Sequence, residues 1–256
     1  AQTLPVPSRA RPPVIDVAVP VLHHPDSVYA ETLRHVRLAA DSAGRVGPPV
    51  IGVTSFHPFE GRSWVAFNLA GQLAAGTPSV LLIDADGRGR SLSRLLGVDD
   101  RPGLADAVAG RGDWRDMLVA IADTNLVVLP CGMDRDGTGD DLLAGQMLGR
   151  IAAEARNGDF GRVVVDVPPL YPVAQGRAIL HELAQFVIVG EWGRTPRAVA
   201  ETALAEDSRL EARCLGVVYD RVNLRKLRSF LLPGEMETFL DGSRTQRGFG
   251  SGLGTK

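Results

Sequence analysis

The residues with the clearest chemical potential lie in one short segment, Ser55 to Ser63, with the sequence S-F-H-P-F-E-G-R-S. An apolar run, Val50 to Val53, precedes it, and an amphipathic stretch begins at Ser63. Strand, loop and helix in this order are typical of a phosphate-binding loop. In such a loop, backbone N–H groups surround an anion, a lysine contacts the outer phosphates, and a Ser or Thr hydroxyl binds Mg²⁺. Ser63 has the place of that hydroxyl, and the next helix would direct its free N–H groups at the same anion.

The loop departs from the pattern G-x-x-x-x-G-K-[ST] at positions that matter for phosphate binding. Phe56 replaces the first glycine, and Arg62 replaces the lysine. Phe59 stands where a glycine would adopt positive φ without a steric penalty. Arginine keeps the positive charge, but its planar guanidinium is wider than an ammonium group and cannot occupy the same position. The sequence therefore predicts a phosphate loop in outline, with altered chemistry.

Aspartates follow two of the predicted strands. Asp84 ends the strand S-V-L-L-I-D and Asp86 comes just after it, while Asp166 ends the run that begins at Val163. Because ligands of a parallel sheet lie beyond the carboxyl ends of its strands, all three could face Ser63 across one crevice. Carboxylates in this position commonly hold the Mg²⁺ of a bound nucleotide. Strand-end aspartates can also simply cap the following turns, and that alternative stays open.

The apolar pattern predicts strands that alternate with helices through most of the chain. Strands are expected at 50–53, 79–84, 125–129, 163–165, 186–189 and 215–219, and helices at 26–40, 63–75, 91–96, 104–109, 140–156, 173–183 and 196–210. This alternation indicates an α/β fold with a doubly wound, mostly parallel sheet and helices on both faces. Residues 1–25 are rich in proline and are predicted to be an extended lead-in, and residues 233–256 a flexible C-terminal tail.

The composition restricts the class of protein. A hydrophobic fraction of 45% is that of a globular protein with a core, and a net charge of −2 lacks the basic excess of a nucleic-acid-binding domain. Cys131 and Cys214 are too few and too far apart for a disulfide framework or a zinc site, which favours a reducing compartment. We find neither a signal peptide nor an apolar run near the roughly 18 residues of a membrane span, and so expect a cytoplasmic location. A longer parent chain could still carry a membrane segment.

Together these motifs resemble the bacterial tyrosine kinases of capsule and exopolysaccharide synthesis, a branch of the MinD/ParA-like P-loop proteins. The segment Ser55 to Ser63 is similar to the family's first motif, S-x-x-P-G-E-G-K-S. The sequence L-L-I-D-A-D-G-R, at Leu81 to Arg88, is similar to its second, an apolar run followed by D-x-D-x-R. The sequence V-V-V-D-V-P-P, at Val163 to Pro169, is similar to its third, an apolar run followed by D-x-P-P. The resemblance covers roughly Pro25 to Val222 and implies a single P-loop NTPase-like domain over 26–232.

The resemblance also implies a nucleotide site that holds ATP or ADP with Mg²⁺. Ser63, Asp84 and Asp166 would hold the metal, and Asp84, Asp86 and Asp166 would serve catalysis. The nucleotide itself would contact Pro58, Glu60, Gly61, Arg62, Ser63, Trp64, Arg88 and Asp220. For Trp64, packing beneath the loop is the plainer interpretation.

Assembly and a membrane partner are further implications of the resemblance. Glu31, Arg34 and Arg37 are similar to the family's E-x-x-R-x-x-R helix, which is linked to ring formation; a solvated face with an i,i+3 ion pair is the alternative. Such kinases typically act with a membrane-spanning polysaccharide chain-length regulator protein. The resemblance therefore implies a homo-oligomer at the inner face of the bacterial cell membrane.

Departures from the family pattern favour a pseudo-kinase or regulator. Besides Phe59 and Arg62, the family's asparagine near the base is replaced by Asp220, and a common aspartate by Gln175. No tyrosine follows Tyr219 in this sequence, whereas the family has a C-terminal tyrosine cluster, so we expect no autophosphorylated tail. One alternative is an active ATP-dependent tyrosine kinase or ATPase in which Arg62 takes the phosphate-binding role of the lysine. Another is a ParA/MinD-like positioning ATPase, for which the basic stretch 221–232 would supply direct membrane contact.

Overall fold

The computed structural model describes residues 12–43, 50–133, 141–155, 160–172 and 174–227. The strands within these ranges are β1 (Val14–Ile15), β2 (Val50–Ser55), β3 (Val80–Asp84), β4 (Val119–Ile121), β5 (Leu126–Leu129), β6 (Arg162–Asp166), β7 (Gln185–Glu191) and β8 (Cys214–Asp220). The helices are α1 (Pro20–His23), α2 (Val28–Ser42), α3 (Arg62–Ala74), α4 (Ser91–Leu95), α5 (Leu104–Val108), α6 (Asp141–Glu154), α7 (Gln175–Glu182), α8 (Arg197–Ala205), α9 (Ser208–Glu211) and α10 (Leu224–Leu227), with a 3₁₀ turn over Trp114–Met117.

The described strands form one sheet in the order β1-β4-β5-β3-β6-β2-β7-β8. Every neighbouring pair is parallel except β4 and β5. The prediction of a mostly parallel α/β sheet is therefore confirmed. Strand β2, which leads into the phosphate-type loop, lies between β6 and β7, and Asp84 pairs in register with Asp166 on neighbouring strands. The predicted strand-end aspartates thus meet at one edge of the sheet.

Both faces of the sheet are buried. In β3, Val80 and Leu82 belong to the core layer beneath α2 and α3, while Leu81 and Ile83 belong to the layer beneath α6 and α7. Successive side chains of a strand point to opposite faces, so a continuous apolar run is what a strand covered on both sides requires. The position of β2 and β3 at the centre of this core fixes the loops that follow them.

The helix before β2 matches its prediction closely. Helix α2 begins after Ser27, whose hydroxyl accepts a hydrogen bond from the Ala30 N–H at 3.1 Å, as an N-cap residue does. Leu33, Val36 and Ala40 form its buried stripe.

Residues 12–25 differ from the predicted extended lead-in. They contain β1 and α1, and Val19 and Val21 are buried in the core. Val19 lies so close to Gly71 of α3 that a Cβ there would collide with its side chain, and the Val21 N–H donates to the buried Asn68 side chain at 3.0 Å. Prolines favour extended chain but also the first turn of a helix, and the alternating valines supply the packing.

Two further differences concern local structure. The predicted helix 196–210 divides into α8 and α9, because the Asp207 carboxylate accepts from the N–H groups of Arg209 and Leu210 and begins a new helix. Strand β4 was not predicted. The predicted tail, 233–256, and residues 1–11 lie outside the described residues. None of the described helices has the length and hydrophobicity needed to cross a bilayer.

Candidate functional site

The loop between β2 and α3 places its two aromatic residues in different environments. Phe56, at the position of the first glycine, is completely buried beneath the loop. Phe59 adopts φ of 69° and its side chain is 85% exposed. Gly61 adopts φ of 89° and is the N-cap of α3. The loop therefore keeps a left-handed glycine at the start of the helix, and it forces a bulky residue into the same unfavourable region two positions earlier.

Arg62 turns its side chain inward, and its guanidinium is bound by the protein itself. Its Nη2 donates to the Asp86 carboxylate, its Nη1 donates to the Val167 carbonyl oxygen at 2.9 Å, and its Nε lies 3.6 Å from Asp166 Oδ1. Burial alone would lower the pKa of Arg62, but the carboxylates of Asp166 and Asp86 raise it. The arginine that replaces the lysine is thus paired with Asp86 and Asp166, two of the predicted metal or catalytic residues.

Asp166 has the least compensated carboxylate of the site. It is fully buried, and within the described residues neither of its oxygens has a hydrogen-bond partner of ideal geometry, although the Ser63 side chain lies close enough to lower its pKa. Burial raises the pKa of Asp166 to about 7, with Arg62 opposing the shift and Asp84 reinforcing it. A buried carboxyl group with this pKa is partly protonated at neutral pH, which makes it a weaker metal ligand.

Asp84 and Asp86 are both engaged in the turns that follow β3. Asp84 accepts from the Ser93 N–H at 2.8 Å, from the Ser93 hydroxyl at 2.7 Å and from the Asp86 N–H at 3.1 Å. Asp86 accepts from the Gly89 N–H at 2.8 Å as well as from Arg62. Burial raises the pKa of Asp84 despite these donors. The turn-capping role that the sequence left open is therefore present at both aspartates, and Ser93, which we did not single out, completes it.

Carboxylates also flank the loop on its other sides. Glu60 is buried and accepts from the His57 N–H at 2.7 Å and from the Thr195 hydroxyl. Asp220, at the end of β8, lies against Gly61 so closely that a Cβ on that glycine would collide with its Oδ2. Negative charge beside these backbone N–H groups opposes the approach of a phosphate anion. Thr195 carried no recognisable signal in the sequence.

The other predicted nucleotide contacts have different positions. Ser63 is buried at the start of α3, whereas the Trp64 side chain is 40% exposed, so the interpretation of Trp64 as packing beneath the loop is wrong. Pro58 and Arg88 line a cavity of about 400 Å³ whose wall also includes Arg62 and Asp86.

The predicted assembly residues lie together on α2. Arg34 pairs with Glu31, as the i,i+3 spacing predicted, and also donates to the Pro25 carbonyl oxygen. Arg37 lies 3.7 Å from Asp41, and the side chains of Glu31, Arg34 and Arg37 are all exposed. This face of α2 is therefore accessible and charged.

Comparison with known proteins identifies the family. No family model matches the sequence. The succinoglycan biosynthesis transport protein ExoP of Rhizobium meliloti is 33% identical over 211 residues, which are 81% of this chain and 27% of that protein. Further relatives, 24–28% identical, are named as tyrosine-protein kinases. The chain is a homologue of these bacterial tyrosine-kinase and polysaccharide-transport proteins, so the resemblance seen in its motifs is confirmed. This kinase-type domain spans about a quarter of the length of the first relatives that it matches.

Solved structures share the fold of this kinase-type domain. The kinase domain of the Escherichia coli tyrosine kinase ETK gives a TM-score of 0.70 at 19% identity, over 84% of this chain and 85% of that one. The septum site-determining protein MinD with Mg-ADP, from Pyrococcus horikoshii, gives 0.56 at 22% identity, over 76% of each chain. The fold is one that binds nucleotides, with Mg²⁺ as the usual counter-ion.

The side chains of this domain, as they are arranged, do not fit a magnesium nucleotide. The guanidinium of Arg62 lies between Asp86 and Asp166, where a cation would otherwise lie, and Asp84 already accepts three hydrogen bonds. Asp220 adds a carboxylate beside Gly61. The site therefore combines the loop backbone of a nucleotide site with an arginine that is already bound by two carboxylates.

Proposed function

We propose that this domain serves the synthesis and export of a bacterial capsule or exopolysaccharide as a pseudo-kinase, acting through assembly and a membrane partner. The family membership and the likeness to a succinoglycan biosynthesis transport protein support the polysaccharide role. Phosphoryl transfer depends almost entirely on positioning and on electrostatic stabilisation of the phosphates. A domain that neither positions the phosphates nor stabilises their charge can keep its fold and its binding surfaces without catalysing phosphoryl transfer.

The observation that carries this proposal is the ion triad of Arg62, Asp86 and Asp166. In the family motif the cation at this position contacts the outer phosphates of the nucleotide. Here the guanidinium is buried and bound to two carboxylates and to a backbone carbonyl. Releasing it would leave both carboxylates buried without a counter-ion, which costs several kcal/mol. The triad therefore stabilises the loop in the absence of nucleotide and competes with its binding.

Assembly would use the exposed face of α2. Glu31, Arg34 and Arg37 lie there, and α2 packs on the loop helix α3, where the Gln72 side chain donates to the Ala30 carbonyl oxygen at 2.7 Å. We infer that copies of the domain associate through this face at the inner side of the cell membrane. The membrane attachment would come from a chain-length regulator protein, fused or separate. The basic stretch 221–232, which the positioning-ATPase alternative would use for membrane contact, extends beyond the described residues.

Nucleotide binding tests the pseudo-kinase proposal directly. A fluorescent ATP analogue is titrated with and without Mg²⁺ into the wild type, the Phe59→Gly variant, and the double variant Phe59→Gly, Arg62→Lys. We expect no Mg²⁺-dependent binding by the wild type or by the single variant, and a gain of binding by the double variant. Micromolar, Mg²⁺-dependent affinity with turnover by the wild type would instead establish an active kinase or ATPase.

Sedimentation velocity tests the assembly part. The wild type should form an oligomer that the charge reversal Arg37→Glu weakens, because this side chain is exposed on α2 and its change leaves the core intact. The matched reversal Arg209→Glu, on the distant α9, should leave the oligomer unchanged. A wild type that stays monomeric at every concentration would contradict the assembly proposal.

A further inference from the structure

Two arginines beside the phosphate-type loop, Arg88 and Arg94, have no partner within the described residues. Arg88 and Arg94 line the cavity of about 400 Å³ beyond β3 and β6, and both are exposed. Within the described residues, neither side chain makes an ion pair or a hydrogen bond, whereas Arg62, on the same cavity wall, is fully paired. Unpaired guanidinium groups that share one concave site favour an anion with several oxygens, since each can donate two parallel hydrogen bonds.

A buried acceptor lines the same cavity. Gln175 is only 7% exposed, and its side-chain oxygen has no hydrogen-bond partner in the described part of the chain. A buried polar atom without a partner costs free energy that a ligand donor would recover. The ligand that suits this cavity therefore brings an N–H or O–H donor together with its anionic group. Inorganic phosphate alone would suit the cavity poorly, because as a dianion it offers almost only hydrogen-bond acceptors and the Gln175 oxygen needs a donor.

The rim of the cavity is apolar. It includes the exposed ring of Phe59 and the prolines Pro58, Pro169 and Pro172. Aromatic and proline surfaces of this kind pack against planar rings and against extended peptide backbone. A cavity of this size also falls within the range of about 300–1,000 Å³ that is usual for ligand sites.

We propose that this cavity binds a phosphotyrosine side chain presented by a peptide segment of a partner protein. The phosphate would pair with Arg88 and Arg94, the phenyl ring would pack against Phe59, and a peptide N–H would donate to Gln175. The inference rests on the proposed function, because a cavity used for catalysis would have to admit the transferred phosphate of ATP instead. The domain would then recognise a phosphorylated partner rather than produce one.

The test is fluorescence polarisation with the full chain and a labelled Gly/Ser peptide that carries one central phosphotyrosine. The same peptide with tyrosine and with phosphoserine, and AMP and inorganic phosphate as competitors, separate the possible sources of the phosphate group. We expect the phosphotyrosine peptide to bind at least tenfold more tightly than either control peptide. Arg88→Gln and Arg94→Gln should each weaken it about tenfold, as loss of a charge-assisted pair does. Arg101→Gln, outside the cavity, should have no effect.

Phe59→Gly separates the aromatic contribution from the charge. It should lower the affinity for the phosphotyrosine peptide to that for the phosphoserine peptide. Circular dichroism of each variant establishes that the variant is folded. Equal binding of the three peptides, tighter binding of AMP, or unchanged binding by folded Arg88 and Arg94 variants would overturn the inference. The titration is run with and without MgATP while released ADP is measured. Absence of both peptide binding and turnover refutes only this inference, whereas turnover refutes the proposed function.

Discussion

Replacement of Arg62 by methionine is the most informative perturbation of the ion triad. Methionine has a comparable length and fills much of the same space, so the change mainly removes the guanidinium. The side chains of Arg62 and Asp86 are 8% and 6% exposed, and that of Asp166 is fully buried. Their pairing therefore belongs to the class of buried ion pairs and not to that of surface pairs, which contribute only about 0–1 kcal/mol.

The expected loss of stability follows from this burial. Removing one partner of a buried pair costs roughly 3–5 kcal/mol, because the remaining charges stay buried without compensation. That is a large part of the roughly 5–15 kcal/mol by which a typical domain is stable. The Val167 carbonyl oxygen also loses its donor, which places Arg62→Met towards the upper end of this range.

The loss should depend on pH in a defined direction. Asp166 has a pKa of about 7 in the folded protein, above the roughly 3.9 of an unfolded aspartate. A carboxyl group whose folded pKa is raised stabilises the protein least when it is ionised, so wild-type stability falls as the pH rises from about 4 to about 7. Arg62 holds this pKa down. Its removal should therefore cost more at pH 8, where the wild-type carboxylate is ionised, than at pH 5, where it is largely protonated.

Urea unfolding followed by circular dichroism at pH 5 and pH 8 measures both effects. The matched control is Arg101→Met, a half-exposed arginine outside the triad, which should change stability by less than about 0.5 kcal/mol. Adding Asp166→Asn to Arg62→Met should recover part of the loss at pH 8 and little of it at pH 5. A loss below about 1 kcal/mol, or an equal loss at the two pH values, would refute the buried triad as the element that stabilises the loop.

Two other substitutions test the loop and the N-terminal segment. Phe59→Gly should stabilise the domain by about 1 kcal/mol, because it relieves a φ of 69° and removes a side chain that is 85% exposed; a lower thermal midpoint than the wild type would contradict this. Gly71→Ala should destabilise the domain by about 1–3 kcal/mol, because the new methyl group collides with Val19. Urea unfolding should show that Val19→Ala suppresses part of this loss, and no suppression would mean that residues 12–25 do not pack there in solution.

The sequence was sufficient for the main features of the fold. Continuous apolar runs such as Val80 to Ile83 predicted strands buried on both faces, and the apolar pattern of residues 26–40 predicted helix α2. These features depend on periodicity and on hydrogen bonds between near neighbours, which a sequence displays directly. β1 and α1 were missed because their partners lie far away along the chain: β1 pairs with β4, and Val19 before α1 packs on Gly71.

The candidate site likewise has features that the sequence predicted and features that it did not. The sequence by itself determined that Asp84 and Asp166 end strands and lie at the same edge of the sheet, because parallel strands direct their carboxyl ends to the same side. It did not determine where the Arg62 side chain would point, since the carboxylates and the Val167 carbonyl oxygen that hold it come from the carboxyl ends of β3 and β6 and the turns after them. The contact of Asp220 with Gly61 likewise depends on the position of β8 in the sheet. Local pattern fixes the elements, whereas the pairing of charges between distant elements depends on the order in which the strands assemble.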